Sequence, residues 1–220
     1  YALDRFKEAL PVWQRAAKLD PLSPGALFAL GTLHWRLGGL PGRNSCADYR
    51  QAVDYFERGA EGQNLRAQAA VDRALQYRAA AQLQYLLGSC TDRVAAYERA
   101  VANYGHAVEL DPQVHYWYRK ARLSYSIASL LLASEPARAR DWLQRGIEDI
   151  GQAIQASPRN AVYLHDQAWM LYNAWNWAEA KGLAEQEGLL QARANLLAAL
   201  ALDPSDRGTG YRPNFWLGLV

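Results

Sequence analysis

Residues 93–112 read RVAAYERAVANYGHAVELDP, the pattern of one amphipathic helix stopped by Asp-Pro. Val94, Tyr97, Val101, Tyr104, Val108 and Leu110 recur at helical spacing and make an apolar stripe. Ala100, Gly105 and Ala107 are small, which predicts the close approach of a second helix. Pro112 has no amide hydrogen and restricts the residue before it, so the helix stops there. The same ending returns at Lys18-Leu19-Asp20-Pro21, Gln155-Ala156-Ser157-Pro158 and Ala201-Leu202-Asp203-Pro204. A chain punctuated in this way is expected to be a series of helical hairpins.

Upstream, residues 3–19 form the first expected helix. Leu3, Phe6, Ala9, Leu10, Trp13 and Ala17 lie on its buried face, and Pro11 bends it or begins a new turn. Pro21 and Pro24 enclose a short connection to a helix over 26–37, which Gly38-Gly39 stops; the loop runs through Ser45. Periodicity resumes over 47–58, with Tyr49, Val53 and Phe56 facing inward, and 64–89 make one long helix or two joined ones. Downstream helices are expected over 114–133, over 137–156 behind a Ser134-Glu135-Pro136 cap, and over 160–173. The last spans 177–202, with a bend near Gly182 or Gly188. There is no series of alternating strands, and the abundant Ala, Leu, Gln and Arg favour helices. The fold class is all-α, with about nine or ten helices.

At 220 residues and 50% hydrophobic content the chain can bury one or two substantial cores. A net charge of +2 gives no sign of a large nucleic-acid footprint. The bases are mostly arginines, with lysine only at Lys7, Lys18, Lys120 and Lys181, a bias that weakly suggests a bacterial source. Cys46 and Cys90 form neither a metal-binding spacing nor a CxxC. Separate buried thiols are expected; the alternative, one disulfide joining neighbouring hairpins, would imply an oxidising compartment. No uninterrupted apolar run reaches the roughly 20 residues a membrane span needs. Tyr1 begins neither a leader nor a start with methionine, so the chain reads as a fragment or processed product.

Ala81 to Val114 spans 34 residues and resembles a tetratricopeptide repeat. Leu87-Gly88 matches the Leu-Gly pair of the first helix; Ala100, Tyr104, Ala107 and Pro112 match the small, aromatic, small and proline positions of the second. Thr91 replaces the usual aromatic between these groups. Ala9, Trp13, Ala16 and Pro21 resemble the second helix of an earlier unit. Leu30-Gly31 opens another, continued by Ala52, Phe56 and Gly59. Ala153-Pro158 and Ala199-Pro204 repeat Ala107-Pro112 at steps of 46 residues, longer than the usual repeat, and Leu217-Gly218 resembles a further first helix. The resemblance implies a superhelical solenoid of antiparallel hairpins, because one hairpin cannot cover both its apolar faces and stacking buries them. The implied units are 1–22, 23–65, 66–114, 115–159 and 160–206, with 207–220 a further start or a tail.

In this family the first helices supply the concave binding surface. Carried onto this sequence, the resemblance implies rows of Phe28, Thr32 and Trp35; Tyr85, Ser89 and Arg93; Tyr118, Arg122 and Tyr125; and His165, Trp169 and Tyr172. Such rows would recognise an extended peptide or a partner helix, Arg119 and Arg122 adding directional hydrogen bonds. Packing between repeats is the competing reading for any one aromatic. The family's lysine, arginine and asparagine clamp for terminal carboxylates is not reproduced, since the positions hold Phe28, Tyr85, Tyr118 and His165. Tyr116-Trp117-Tyr118-Arg119-Lys120 invites a nucleic-acid or membrane reading. One basic-aromatic turn does not carry it: nucleic acid is set aside, membrane contact and self-association are left open. Tyr172, Trp175 and Trp177 make a similar cluster.

His34, His106, His115 and His165 are scattered and make no HExxH, so no catalytic residue, metal or cofactor is expected. Asp166 follows His165, but neighbours on a helix point in different directions. The enzyme alternative would use His165 and Asp166 as acid and base, with Arg119 or Arg122 orienting an acidic substrate. The expected function is a non-catalytic protein-interaction scaffold. Its alternative is a soluble interaction module of a bacterial envelope or membrane-associated assembly, suggested by the arginine bias, the missing start and the Phe215-Trp216-Leu217 ending. The compartment is cytoplasmic or envelope-associated on these grounds.

Overall fold

The computed structural model describes residues 2–40, 44–61, 67–177 and 183–204, and the chain divides into two compact units, Tyr1–Tyr116 and Trp117–Val220. Among the described residues there are nine α-helices and no strand. Unit 1 holds α1 (Ala2–Leu19), α2 (Pro24–Gly38), α3 (Ser45–Glu61), α4 (Ala67–Leu87) and α5 (Arg93–Leu110). The division falls inside α6 (Val114–Leu131); unit 2 continues with α7 (Pro136–Ala156), α8 (Ala161–Asn176) and α9 (Leu183–Leu202). The fold class read from the sequence, a tetratricopeptide-like arrangement of antiparallel hairpins, is the one found.

The recurrent endings have one local cause. The residue before each proline donates its backbone N–H four residues back, always to an alanine: Asp20 to Ala16, Asp111 to Ala107, Ser157 to Ala153 and Asp203 to Ala199, at 2.9–3.0 Å. The proline that follows has no N–H with which to extend the helix. Helix starts are equally local. The Asp92 carboxylate accepts from the N–H groups of Val94 and Ala95, and Asn160 does the same for Val162 and Tyr163. Ser23 caps α2 through Ala26, with Pro24 in the first turn. The cap expected over Ser134-Glu135 needs correction: Glu135 occupies the N-cap position without a side-chain cap bond, its carboxylate accepting instead from Arg138 at 2.6 Å.

α1 runs unbroken through Pro11. Its Phe6, Leu10 and Ala17 are half-buried and Trp13 is exposed, since among the described helices of unit 1 only α2 packs substantially against it. From Ala67 onward the long segment of 64–89 is one helix. Gly188 lies within α9 without ending it; Gly182 and 207–220 fall outside the described residues.

Phe56 anchors the core of unit 1. Its 1% exposed ring packs with Ala52, Val53, Ala79, Ala80, Leu83 and Leu87. Gly31 on α2 lets the ring approach so closely that an added Cβ would sit 2.8 Å from it. Gly88 does the same for Tyr97, whose ring would be 2.6 Å away. These are the glycines of the Leu30-Gly31 and Leu87-Gly88 pairs. Gly105 is different: nothing lies within 4 Å of where its Cβ would be, so the close approach expected there is made by fully buried Ala100 and Ala107 alone. Glu57 of α3, 9% exposed, accepts from Arg99 and Asn103 of α5 and fastens these two helices together.

The cysteines also need correction. They are not separate thiols: Cys46 at the start of α3 and Cys90 in the α4–α5 turn form a disulfide with their Cα atoms 5.8 Å apart. Each hairpin packs against the next, which brings residues 44 apart in sequence within bonding reach.

In unit 2, Leu143, Ile150 and Met170 pack against Ala121 and Ala128. Gly146 on α7 lets α6 approach: a Cβ there would be 3.2 Å from the Ala121 carbonyl oxygen. A second cluster of Ala168, Ala192 and Leu196 holds α8 on α9, with the Asn195 amide donating to Gln167 Oε1 at 2.7 Å.

Candidate recognition face on α6 and α8

The four expected rows have unequal fates. In unit 1, Phe28 is 43% exposed, but its ring contacts Phe56 at 5.6 Å, so it partly belongs to the core. Trp35 is exposed with the Arg36 guanidinium 5.4 Å from its ring centre, and Thr32 is half-buried nearby on the same helix. Tyr85 stacks on Tyr97 at 5.3 Å; Arg93 donates to the Gly88 carbonyl and Ser89 to that of Leu86. These contacts bind the α4–α5 hairpin to itself.

Unit 2 brings its two rows together. On α6, Tyr118, Arg122 and Tyr125 sit at i, i+4 and i+7; on α8, Tyr163, Asp166, Trp169 and Tyr172 recur every three residues. Both spacings place side chains on one helical stripe. The Tyr118 hydroxyl donates to Asp166 Oδ2 at 2.9 Å, and its ring meets Tyr163 at 4.7 Å. Trp169 Nε1 donates to the Tyr125 hydroxyl at 2.9 Å. From Trp169 the ring contacts continue to Tyr172 at 5.9 Å and to Trp175 at 6.0 Å, while Tyr125 stacks with Trp177 at 6.1 Å. All these rings are half-buried, leaving an aromatic surface held in place from behind.

A polar cluster adjoins this surface. Arg122 donates to the Tyr118 hydroxyl at 3.4 Å, with its Nε 4.0 Å from Asp166 Oδ2. Its side chain is 52% exposed, so the guanidinium can still reach a ligand, while Arg119 is exposed alongside. His165 is not on the accessible surface: it is 5% exposed, with Nδ1 3.2 Å from Asp166 Oδ1. The two neighbours, expected to point apart, therefore touch. Asp166 serves Tyr118, Arg122 and His165 at once, the work of a positioning carboxylate. Tyr163 and the role of Asp166 were missed by the sequence reading, although the three-residue recurrence on α8 would have found both.

Behind the face, Lys120 of α6 donates to Asp149 of α7 at 2.8 Å, its ammonium 5.2 Å from the Trp117 ring centre. Burial raises the pKa of Asp149, against the lowering effect of Lys120. A raised carboxylate binds its proton more tightly folded than unfolded. Its contribution to stability is therefore present in acid and lost as pH rises through the raised pKa. Asp149→Asn should remove this dependence. Urea unfolding of both proteins is expected to show wild type losing stability relative to the variant as pH rises from the ordinary carboxylate range through that value. Parallel pH profiles would contradict it.

Among the described residues no group of three or more His, Cys, Asp or Glu could hold a metal, and no helix is long and apolar enough to cross a membrane.

No family model matches the chain and no curated protein sequence matches it. Solved structures do. A crystal structure of MamA matches 96% of this chain and 90% of that one, at 13% identity and a TM-score of 0.55. The MamA RS-1 ArsTM double mutant matches 94% and 90%, at 18% identity and 0.53. YrrB, a TPR protein with an unusual peptide-binding site, matches 93% and 81%, at 15% identity and 0.50. These likenesses establish the tetratricopeptide-like fold. One expectation about partners is corrected: a monomeric IFIT1 mutant solved with Gppp-AAAA matches 91% of this chain and 47% of that one, at 16% identity and 0.47. Nucleic acid is therefore no longer set aside as a partner class, while at that TM-score the likeness assigns no ligand to this chain.

Proposed function

We propose that the chain is a non-catalytic interaction module of an envelope assembly, holding an extended peptide or partner helix on the α6–α8 face. The observation that carries the reading is the half-buried aromatic surface of Tyr118, Tyr125, Trp169 and Tyr172, positioned by Asp166 and edged by Arg122. Aromatic and arginine side chains supply most of the energy at interfaces, and here they are fixed before a partner arrives. YrrB's peptide-binding site supports a peptide as occupant. The disulfide supports the compartment, since such bonds persist where the surroundings are oxidising. In this reading the repeats are 23–65, 66–114, 115–159 and 160–206, with the α6 and α8 rows in the last two. His165 acts through Asp166 and not as an acid or base.

The test is a pull-down with the oxidised chain, followed by affinity measurements on the captured partner with Tyr118→Ala and Trp169→Ala. Each folded variant is expected to bind about 30-fold more weakly. Unchanged affinity of both for every specific partner would sink the recognition face. Fractionation tests the compartment separately: a protein found wholly in the cytoplasm with reduced cysteines would remove the envelope assignment and leave the face intact.

A further inference from the structure

The geometry points to a second binding site, in unit 1, that takes a short peptide segment bearing a carboxylate. It is a cavity of about 440 Å³ between α3, the end of α4 and the start of α5. Val53, Leu87 and Ala96 form an apolar floor. Gln84 lines the same cavity at 5% exposure, and its side-chain amide makes no hydrogen bond among the described residues. The amide keeps contact with solvent at the cavity wall, where a ligand can replace the water it meets.

The charges at the rim decide what that ligand is. Arg99 is bound to Glu57, Asp54 pairs with Arg58 at 3.2 Å, and Asp92 caps α5. Arg50 lines the cavity, is exposed, and forms no ion pair among the described residues. With the others committed, the site presents, among the described residues, one uncommitted cation and one uncommitted primary amide on the same cavity. A primary amide offers a donor and an acceptor, the complement of a peptide group, and a guanidinium takes a carboxylate bidentately. A peptide group followed by an acidic side chain satisfies both. The disulfide frames the walls: Cys46 lies one turn before Arg50, and Cys90 directly precedes Thr91, which also lines the cavity.

The probe is the capped tripeptide acetyl-Gly-Asp-Gly-amide, titrated into the oxidised, isotope-labelled chain and followed by NMR. The Gln84 side-chain amide and the backbone signals of Ala95 and Ala96 are expected to move saturably. The Asn tripeptide, which has the peptide groups without the charge, should bind about tenfold more weakly, and so should the Asp tripeptide to Arg50→Ala. Gln84→Leu, checked to be folded, should abolish binding, because it removes the amide that pairs with the peptide group. No saturable movement, equal binding of the two tripeptides, retained binding by Gln84→Leu or undiminished binding by Arg50→Ala would each overturn the site. None of these results bears on the α6–α8 face, whose variants are different.

Discussion

Reduction of the Cys46–Cys90 bond is expected to destabilise unit 1 by about 3–4 kcal/mol, because the bond closes a segment of 44 residues and so restricts the unfolded chain. A loss of that size lowers the melting temperature of a unit this small by more than about 10 °C. Thermal melts of the wild type with and without dithiothreitol would measure it, and Cys46→Ser with Cys90→Ser gives the control, whose melt should ignore the reductant. Identical oxidised and reduced melts of the wild type would show that the bond contributes nothing. The covalent link carries weight here because it ties α3 to the α4–α5 turn across the core cluster that Cys90 itself packs against.

Phe56→Ala is expected to cost about 3–5 kcal/mol, the range for emptying a buried aromatic site. Gly31→Ala should cost about 1–3 kcal/mol for overpacking against that same ring, offset by about 1 kcal/mol of helix propensity. The informative experiment joins Gly31→Ala to Phe56→Leu. A smaller side chain at 56 makes room for the new methyl, so the double variant should be more stable than the sum of the two single changes implies. Strict additivity in urea unfolding would show that the two residues do not share the space assigned to them.

How much of this was legible in the sequence follows from the distance over which each feature is determined. Helix ends were readable because Asp111 and Pro112 finish α5 through a bond to Ala107 in the same turn. The close contact at Gly31 and Gly88 was legible through the Leu-Gly pairs, but Gly105 misled, since smallness matters only on the side that meets another helix. The disulfide was legible only as the alternative to separate thiols, because nothing near Cys46 reports that Cys90 lies beside it. The arrangement of the proposed recognition face was legible only in part. The α6 and α8 rows came from motif positions, but the hydrogen bond from Tyr118 to Asp166 crosses 48 positions and exists only once the helices are stacked. His165, at a motif position, turned inward to Asp166 for the same reason.

The four proline endings also bear on how such a chain can be edited. Each stop signal is written within six residues, from the accepting alanine to the proline, and consults no neighbouring helix. Residues added beyond the proline lengthen a connection without unwinding what precedes it. Ala107, Ala153 and Ala199 stand 46 residues apart, so the interval between stops keeps its length through the later chain. A segment copied from one proline to the next would carry its own terminator with it and leave the upstream helix intact. Local closure of this kind lets a chain grow by duplication without its existing helices having to be rewritten.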